Sequence, residues 1–441
     1  MNLVDQVREA GVVGAGGGGF PTHVKLAGRA DTVIANGAEC EPLLHKDAAV
    51  MEHYAVEMIR GIRLAMEAVG ATTGVVGIKA KKKGAVAAVE AACQGTPVRV
   101  QLLGDYYPAG DEFDLVHDVT GRLIPPGGIP LNVGVVVCNV ETFVNVAAAA
   151  DGRPVTLKTL TIAGAVRAPR TITVPVGTSL RECIAAAGGA TVPDPVIAIG
   201  GMMMGETTDE LDRPVTKTTG GAIVLARDHH VIERKLKPLT VQNAIGKSAC
   251  DQCRYCTELC PRYLLGYAVE PHQVMRSLAF TSTGAAHWNE WAAMCCSCGL
   301  CTLYACPEEL YPKEACDQSK AEMKKVGQKW SGPMTVMPHP LREGRRLPIK
   351  TLMKKLNIDQ YDHPAPLQSE VLAPRTLVLS LKQGAGAACL PLVRAGDRVA
   401  AGQPLGAIPE KSLGSMIHAP FAGTVGEITS THISLNRSNA V

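Results

Sequence analysis

The 441-residue chain lacks an excess of either charge: 44 Lys and Arg stand against 41 Asp and Glu, a formal +3. A general nucleic-acid or polyanion binder would show a strongly basic field, so that class is excluded. A membrane span is missing as well. Spanning takes about 20 consecutive apolar residues, and the best run, LNVGVVVCNV, ends at Glu141. The start, MNLVDQVREAGVVG, has no basic n-region and carries Asp5 and Glu9, so no secretory signal is read there. Nor is there low complexity: 45 glycines and 29 prolines suit many short turns between compact elements. The length implies roughly three domains, and cores of that size need no disulfide framework.

What the chain has in quantity is cysteine. Of 15 cysteines, ten fall between Cys250 and Cys316, while Cys40, Cys93, Cys138, Cys183 and Cys389 are scattered. Dense cysteine in one segment of a large chain points to metal rather than disulfides, and to a soluble protein of a reducing compartment. Cys250-x2-Cys253-x2-Cys256-x3-Cys260-Pro261 places four thiols in eleven residues. Cys295-x2-Cys298-x2-Cys301-x4-Cys306-Pro307 repeats it with one extra residue before the last Cys. In two-cluster proteins the Cys before Pro serves the other cluster. One cluster is therefore expected on Cys250, Cys253, Cys256 and Cys306, the other on Cys295, Cys298, Cys301 and Cys260. Cys296 leaves the first ligand of the second set ambiguous; Cys295 is preferred because it keeps both two-residue gaps. Structural zinc favours two separated Cys pairs, which this spacing does not supply. Two [4Fe–4S] clusters are expected, with Cys316 a bystander thiol.

Ahead of the cysteines, TVIA (32–35), VVGI (75–78), VRVQLL (98–103) and VGVVVC (133–138) read as buried strands. Between the first two, Met51, Tyr54, Met58, Ile62, Ala65 and Val69 share one helical face. Alternating strand and helix imply a mostly parallel sheet covered on both sides. From about residue 155 the period becomes two, with Ile172, Val174 and Val176 on one side. Two strands, the helix SLRECIAAAG, then VIAIG and AIVLA suggest a β-grasp. Residues 241–330 read as helical around the cysteines. Residues 331–374 read as a linker with one short helix, IKTLMKKL, and 375–441 return to strands.

Gly14-Ala15-Gly16-Gly17-Gly18-Gly19-Phe20-Pro21 could bring backbone N–H groups to a phosphate. Pro21 would open a helix, and Lys25 would lie one turn along it. G-x-G-x-x-G is formally present, but a helical decapeptide precedes it instead of a strand, so the ordinary dinucleotide fingerprint is out of context. A bland flexible loop is the alternative. The run Gly14–Lys25 resembles the glycine loop of the NADH-oxidising flavoprotein subunit of respiratory complex I and of the Rnf complex C subunit. Asn36-Gly37-Ala38-Glu39-Cys40-Glu41-Pro42, Tyr107-Pro108-Ala109-Gly110-Asp111-Glu112 and Cys138-Asn139-Val140-Glu141-Thr142 resemble further motifs of that family, in order. The resemblance implies a Rossmann-like domain (1–154) holding FMN through Gly16, Gly17, Gly19, Lys25, Asn36, Asn139 and Thr142. Glu39, Glu41, Glu112 and Glu141 would line the flavin and nicotinamide side, with NADH as donor. Ordinary surface carboxylates are the alternative for those glutamates, and Cys40 reads as a small buried hydrophobe.

Residues 155–240 resemble the SLBB β-grasp domain of the same family, where Gly200, Gly201 and Met202–Met204 form either a binding surface or packing. The stretch VRAGDRVAAGQPLG…HAPFAGTVGEI resembles the barrel-sandwich hybrid domain of biotinyl and lipoyl carriers. Its only hairpin lysine, Lys411, lies in PEKSL, outside a carrier motif. In Rnf proteins of this type that sandwich precedes the flavin domain; here it follows everything else. The permuted order and the start VREAGVVGAGGGGFPTHVKL resemble the cobalamin reductases of propanediol-utilisation microcompartments. The implied fold is a multidomain α/β chain with a ferredoxin-like two-cluster domain at 241–330. The implied role is electron transfer from NAD(P)H through FMN and the clusters to cobalamin. The implied partners are an adenosyltransferase and shell proteins, and the implied location is cytoplasmic, within a microcompartment. The rival readings are an Rnf-type C subunit and a non-enzymatic iron–sulfur carrier or docking protein. No residue is assigned acid or base catalysis. There is no Asp-x-His-x-x-Gly corrinoid motif, since Asp114–His117 has the wrong spacing. His229, His230, His272 and His287 read as surface or packing residues.

Overall fold

The computed structural model describes residues 1–280 and 289–438; His287 lies outside them. The first domain is a four-stranded parallel sheet in the order Val98–Leu103, Thr73–Lys79, Thr32–Gly37, Val135–Asn139. Val33 and Ala35 face a core shared with the helices Ala55–Val69, Lys83–Cys93 and Val140–Ala150. Ile34, Val135 and Val137 face the other side, where the helix Glu112–Thr120 packs through Leu115 and Val116. Burial on both faces is why these strands read as unbroken apolar runs. The single helix expected after the first strand is two, Lys46–His53 and Ala55–Val69, because Tyr54 leaves helical geometry (φ −127°, ψ 29°). Met51 and Met58 are buried on either side of the break.

A mixed five-stranded sheet follows, ordered Arg170–Pro175, Leu157–Gly164, Gly221–Ala226, Pro195–Ile199, Glu206–Thr208. The helix Leu180–Ala186, started by a Ser179/Glu182 capping box, covers it through Leu180, Cys183 and Ile184. Ile172 and Val174 sit in this core as their alternation requires, but Val176 does not. The strand ends at Pro175, and Val176 is buried with Leu377 and Leu379 of the C-terminal domain. That last domain packs a four-stranded sheet against a three-stranded one. It sits on the N-terminal segment: Ser415 Oγ donates to the Gly11 carbonyl, which also accepts from Lys217 Nζ of the β-grasp region, and Ala385 N–H donates to Gly19 O.

Residues 331–374 are packed rather than loose. Leu347–Pro348 pair antiparallel with Tyr106–Tyr107, and Arg342 donates to Asp114 (2.6 Å) and Asp118 (2.7 Å). Leu352, Met353, Leu356 and Ile358 enter a core that also holds Tyr107, Met202, Met203, Cys298 and Leu303. Burying each such side chain contributes roughly 1.5–3 kcal/mol, whereas the Arg342–Asp114 pair is itself buried and its attraction is largely offset by the desolvation of both charges. Burial, then, makes this segment a strap joining the flavin, β-grasp and cysteine regions. The cysteine region itself is built from short helices, among them Leu239–Ala249, Pro271–Phe280 and Pro312–Lys325. His272 is buried there and bonded to Thr257 (2.8 Å), while His229 and His230 pack ring to ring at 5.0 Å.

Candidate functional site

In the parallel sheet the strand order reverses between Thr32–Gly37 and Val135–Asn139, and the carboxyl ends of those strands are where such sheets bind ligands. A cavity of about 340 Å³ opens there. The glycine loop forms one wall. It closes on itself through Gly14 N–H to Phe20 O (2.9 Å), after which Pro21 precedes a single helical turn, Thr22–Leu26. Gly17 takes φ +109°, and a side chain at Gly17 or Gly18 would meet nothing within 4 Å, so their backbone faces open space. Gly19 differs: a methyl there would lie 2.7 Å from Thr218 and Gly384, so it also serves close packing. Ala15 anchors the loop, its N–H donating to Thr142 Oγ1 (3.0 Å) and its carbonyl accepting from Lys158 Nζ (3.0 Å).

Lys25 reaches the wall and bonds Glu112 (2.9 Å) and Val137 O (2.8 Å). Burial pulls its pKa down, but Cys138 and the Glu112 carboxylate hold it above the ordinary lysine value. Asn36 accepts from Ala38 N–H and donates to Gly110 O (2.9 Å), tying two motif segments together. Asn139 caps its helix by accepting from Glu141 N–H and donates to Asp47 (2.9 Å). Glu39 accepts from Asp47 N–H; burial, then repulsion from Asp47, pushes its carboxyl up to about 8. Glu41 accepts from Met203 and Met204 N–H (2.9 and 2.8 Å), and burial raises its pKa. That clasp draws the Gly200–Met204 loop to the cavity, with Met202 and Met203 buried and Met204 exposed at the rim.

Glu141 and Thr142 do not line the cavity. Glu141 is buried beneath it, held by Lys158 (2.5 Å), Lys46 (3.0 Å) and Thr159 N–H (3.1 Å). These cations keep its carboxyl below the usual range even though burial opposes them. Thr142 acts on the loop through Ala15.

The two cysteine loops share one backbone. Gln252 and Arg254 have φ of 62° and 71°, and Ser297 and Gly299, at the matching positions, have 58° and 78°. Left-handed residues at alternate positions let successive backbone N–H groups converge, which suits an anionic sulfur cage. Burial, then Cys306, Cys250 and Cys253, pushes the Cys256 thiol up to about 12. Burial, then Cys296 and Cys295, raises Cys260. Each Cys before proline thus lies among the thiols of the opposite loop. The matching backbone aligns Cys295 with Cys250, while Cys296 hydrogen-bonds Cys298 and stands on the cavity wall. Cys316, read as a bystander, is buried and hydrogen-bonds Cys295, which lowers the pKa of the Cys295 thiol. Among the described residues no three His, Cys, Asp or Glu side chains are arranged to hold a single metal ion; thiolates around a cubane stand farther apart than around one ion.

Cys298 also lines the flavin-side cavity, and Tyr107 Oη donates to its carbonyl (2.6 Å). Beside it Arg262, next to the Cys260-Pro261 step, pairs with Asp111 (2.7 Å) and lies 3.6 Å over the Phe113 ring. Both members of that pair are about nine-tenths buried, so removing one would cost about 3–5 kcal/mol.

Comparison with known proteins agrees with this layout. Residues 7–148 match the Nuo51 FMN-binding domain, 159–207 the SLBB domain, 249–311 the 4Fe-4S dicluster domain and 363–440 the RnfC barrel sandwich hybrid domain. The chain is 40% identical over 438 residues to cobalamin reductase PduS of Citrobacter freundii, covering 99% of this chain and 97% of that one. The chain belongs to the cobalamin reductase PduS family. The Salmonella typhimurium PduS is likewise 40% identical over 439 residues, covering 98% and 96%. A component of the proton-translocating ferredoxin:NAD(+) oxidoreductase complex of Clostridium ljungdahlii is 36% identical over 264 residues, only 58% of this chain and 55% of that one. As a PduS-family oxidoreductase the chain carries FMN and iron–sulfur clusters. Its cavity fits a flavin phosphate: open glycine backbone and Lys25 lie on the wall, while Lys46 there is already paired with Asp47 and Glu141. No helix among the described residues is long and apolar enough to cross a membrane.

The motifs did not point to Lys46, Asp47 or Lys158. One signal existed for the first. A lysine opening a helix opposes the helix dipole, and Lys46 does so four residues after Pro42, where only a strong local carboxylate set offsets the cost.

Proposed function

We propose that this PduS-family protein passes electrons from NADH to cobalamin, taking cob(III)alamin and cob(II)alamin towards cob(I)alamin for coenzyme recycling in 1,2-propanediol degradation. Bound FMN supplies the conversion of a hydride pair into single electrons. Gly16, Gly17, Lys25, Asn36 and Asn139 hold it, Gly19 and Thr142 fix the loop, and Glu39, Glu41 and Glu112 face the nicotinamide side. Glu141 supports the floor by anchoring Lys46 and Lys158. Cys250, Cys253, Cys256 and Cys306 carry one [4Fe–4S] cluster, and Cys295, Cys298, Cys301 and Cys260 the other. A microcompartment location, with an adenosyltransferase and shell proteins as partners, fits the PduS name of the relatives.

The observation that carries this reading is the shared wall: Cys298, a ligand in the second loop, borders the flavin cavity. Electrons need a short path, and a cluster ligand on the flavin cavity's wall supports one without a mobile carrier. Anoxically purified protein is expected to contain one FMN and about eight irons and to reduce hydroxocobalamin with NADH. Bound zinc in place of iron, or flavin reduction with no corrinoid reduction, would overturn it.

A further inference from the structure

A second cavity, of about 330 Å³, shares no lining residue with the flavin site among the described residues. Its walls are flat and aromatic: Tyr263, Tyr267, Trp291, Trp330 and His339, with Met337 at the mouth. Tyr263 and Trp330 pack on the core that contains Cys260 and Tyr267, which Cys295 also joins. Trp291 packs on the core that contains Cys306, which Cys250 also joins. This pocket touches the protein around both sets of cluster thiols.

The pocket is built, not incidental. His339 N–H donates to Leu264 O (2.9 Å), and the Tyr263 and His339 rings pack 5.6 Å apart. Gly266, at φ +96°, admits the Met337 carbonyl where any side chain would collide with it. Trp330 Nε1 donates to Pro333 O (3.2 Å), fixing its ring. Among the described residues no lysine or arginine lines the pocket and Glu270 is its one carboxylate, so a phosphate finds no counter-charge inside it. The edge of a corrin ring does find partners there: its methyl groups pack on the aromatic faces and its carboxamide arms meet acceptors in Glu270 and Thr335, while the nucleotide phosphate stays outside. Outside the mouth Met334, Met337 and Leu341 are exposed by 61%, 80% and 51%, extending the apolar surface.

We propose that this aromatic pocket seats an edge of the corrin ring of cobalamin; the inference rests on the reading that cobalamin is the acceptor. Each step, Co(III) to Co(II) and Co(II) to Co(I), adds one electron and takes no proton. One NADH supplies two such electrons by way of the flavin and leaves as NAD+ with one proton released there, and the axial hydroxide or water of the Co(III) form departs to solvent, so the pocket needs no acid. The pocket is smaller than a whole cobalamin, which fits a transient acceptor that must leave once reduced.

The test is equilibrium dialysis of hydroxocobalamin against the holoprotein, without NADH. Trp330→Ala and Met337→Glu are expected to weaken binding about tenfold or more and to raise the KM for cobalamin more than they lower kcat. Trp330→Phe should restore most of the affinity. FMN and iron content report that each variant is folded. Met337→Glu is the safer change, since that side chain already lies in solvent. Wild-type affinity and KM in folded Trp330→Ala and Met337→Glu would overturn the pocket while leaving the acceptor intact. A wild-type holoprotein that neither binds nor reduces cobalamin would instead overturn the functional reading beneath it.

Discussion

The two cysteine loops have the same spacing through their first three cysteines and the same left-handed turns, yet the fold treats them differently. The second is enclosed: Cys298 and Cys301 are buried, and Tyr107 reaches across from the flavin motif to hold the Cys298 carbonyl. The first lies open, with Cys253, Arg254 and Tyr255 exposed. Local sequence therefore sets the shape of a cluster loop, while tertiary surroundings set its exposure. In the proposed route the enclosed loop, on the flavin cavity's wall, is the inlet and the open one stands nearer the outlet.

The strongest way to break this contrast is Cys298→Ser. If the enclosed loop is the sole inlet, cobalamin reduction should fall on the order of a hundredfold while FMN stays bound; a modest loss would mean electrons bypass it. Cys253→Ser in the open loop should be milder, about tenfold slower turnover with flavin content unchanged. Wild-type turnover there would remove the first cluster from the route. Tyr107→Phe keeps every ligand but strands a buried carbonyl, costing about 1–3 kcal/mol. The expected result is a lower Tm and slower passage from flavin to cluster in stopped-flow, with full FMN occupancy. Equal rates would show that the hydroxyl only stabilises.

The smallest effect concerns pH, and only on the inlet side. Glu39 keeps its proton to about pH 8 because burial and then Asp47 oppose its charge. The folded state binds that proton more tightly than the unfolded chain, so this group's contribution to stability falls as pH rises from the ordinary carboxyl range towards about 8. Glu39→Gln should flatten that part of the slope in thermal unfolding. An unaltered slope would mean the carboxyl is ionised throughout.

Much of this was legible in the sequence because it is local. Cys-x2-Cys-x2-Cys followed by Cys-Pro, the glycine loop, and strands whose apolar runs reflect two covered faces all write their geometry into neighbouring residues. What stayed hidden depends on distance along the chain. Glu141 reads as a site carboxylate from its motif, but its real partners, Lys46 and Lys158, come from a helix and a strand on either side of it in sequence. Residues 331–374 read as a linker because proline and charge dominate. Their buried leucines meet surfaces contributed by three other regions, and no local period records that. Val176 continues the alternation of its strand and still belongs to another domain, because Pro175 ended the pairing first.

The contact between the C-terminal domain and Gly11 and Gly19 has an evolutionary consequence. The resemblance to Rnf-type proteins places their sandwich at the opposite end of the polypeptide. Here its spatial neighbour is the very start of the flavin domain, so moving the coding segment from front to back need not have moved the folded module. A circular permutant opening near residue 375 and joining the old ends through a flexible linker long enough to span them is expected to assemble the same architecture. Gene order, on this view, was free to drift while adjacency was kept.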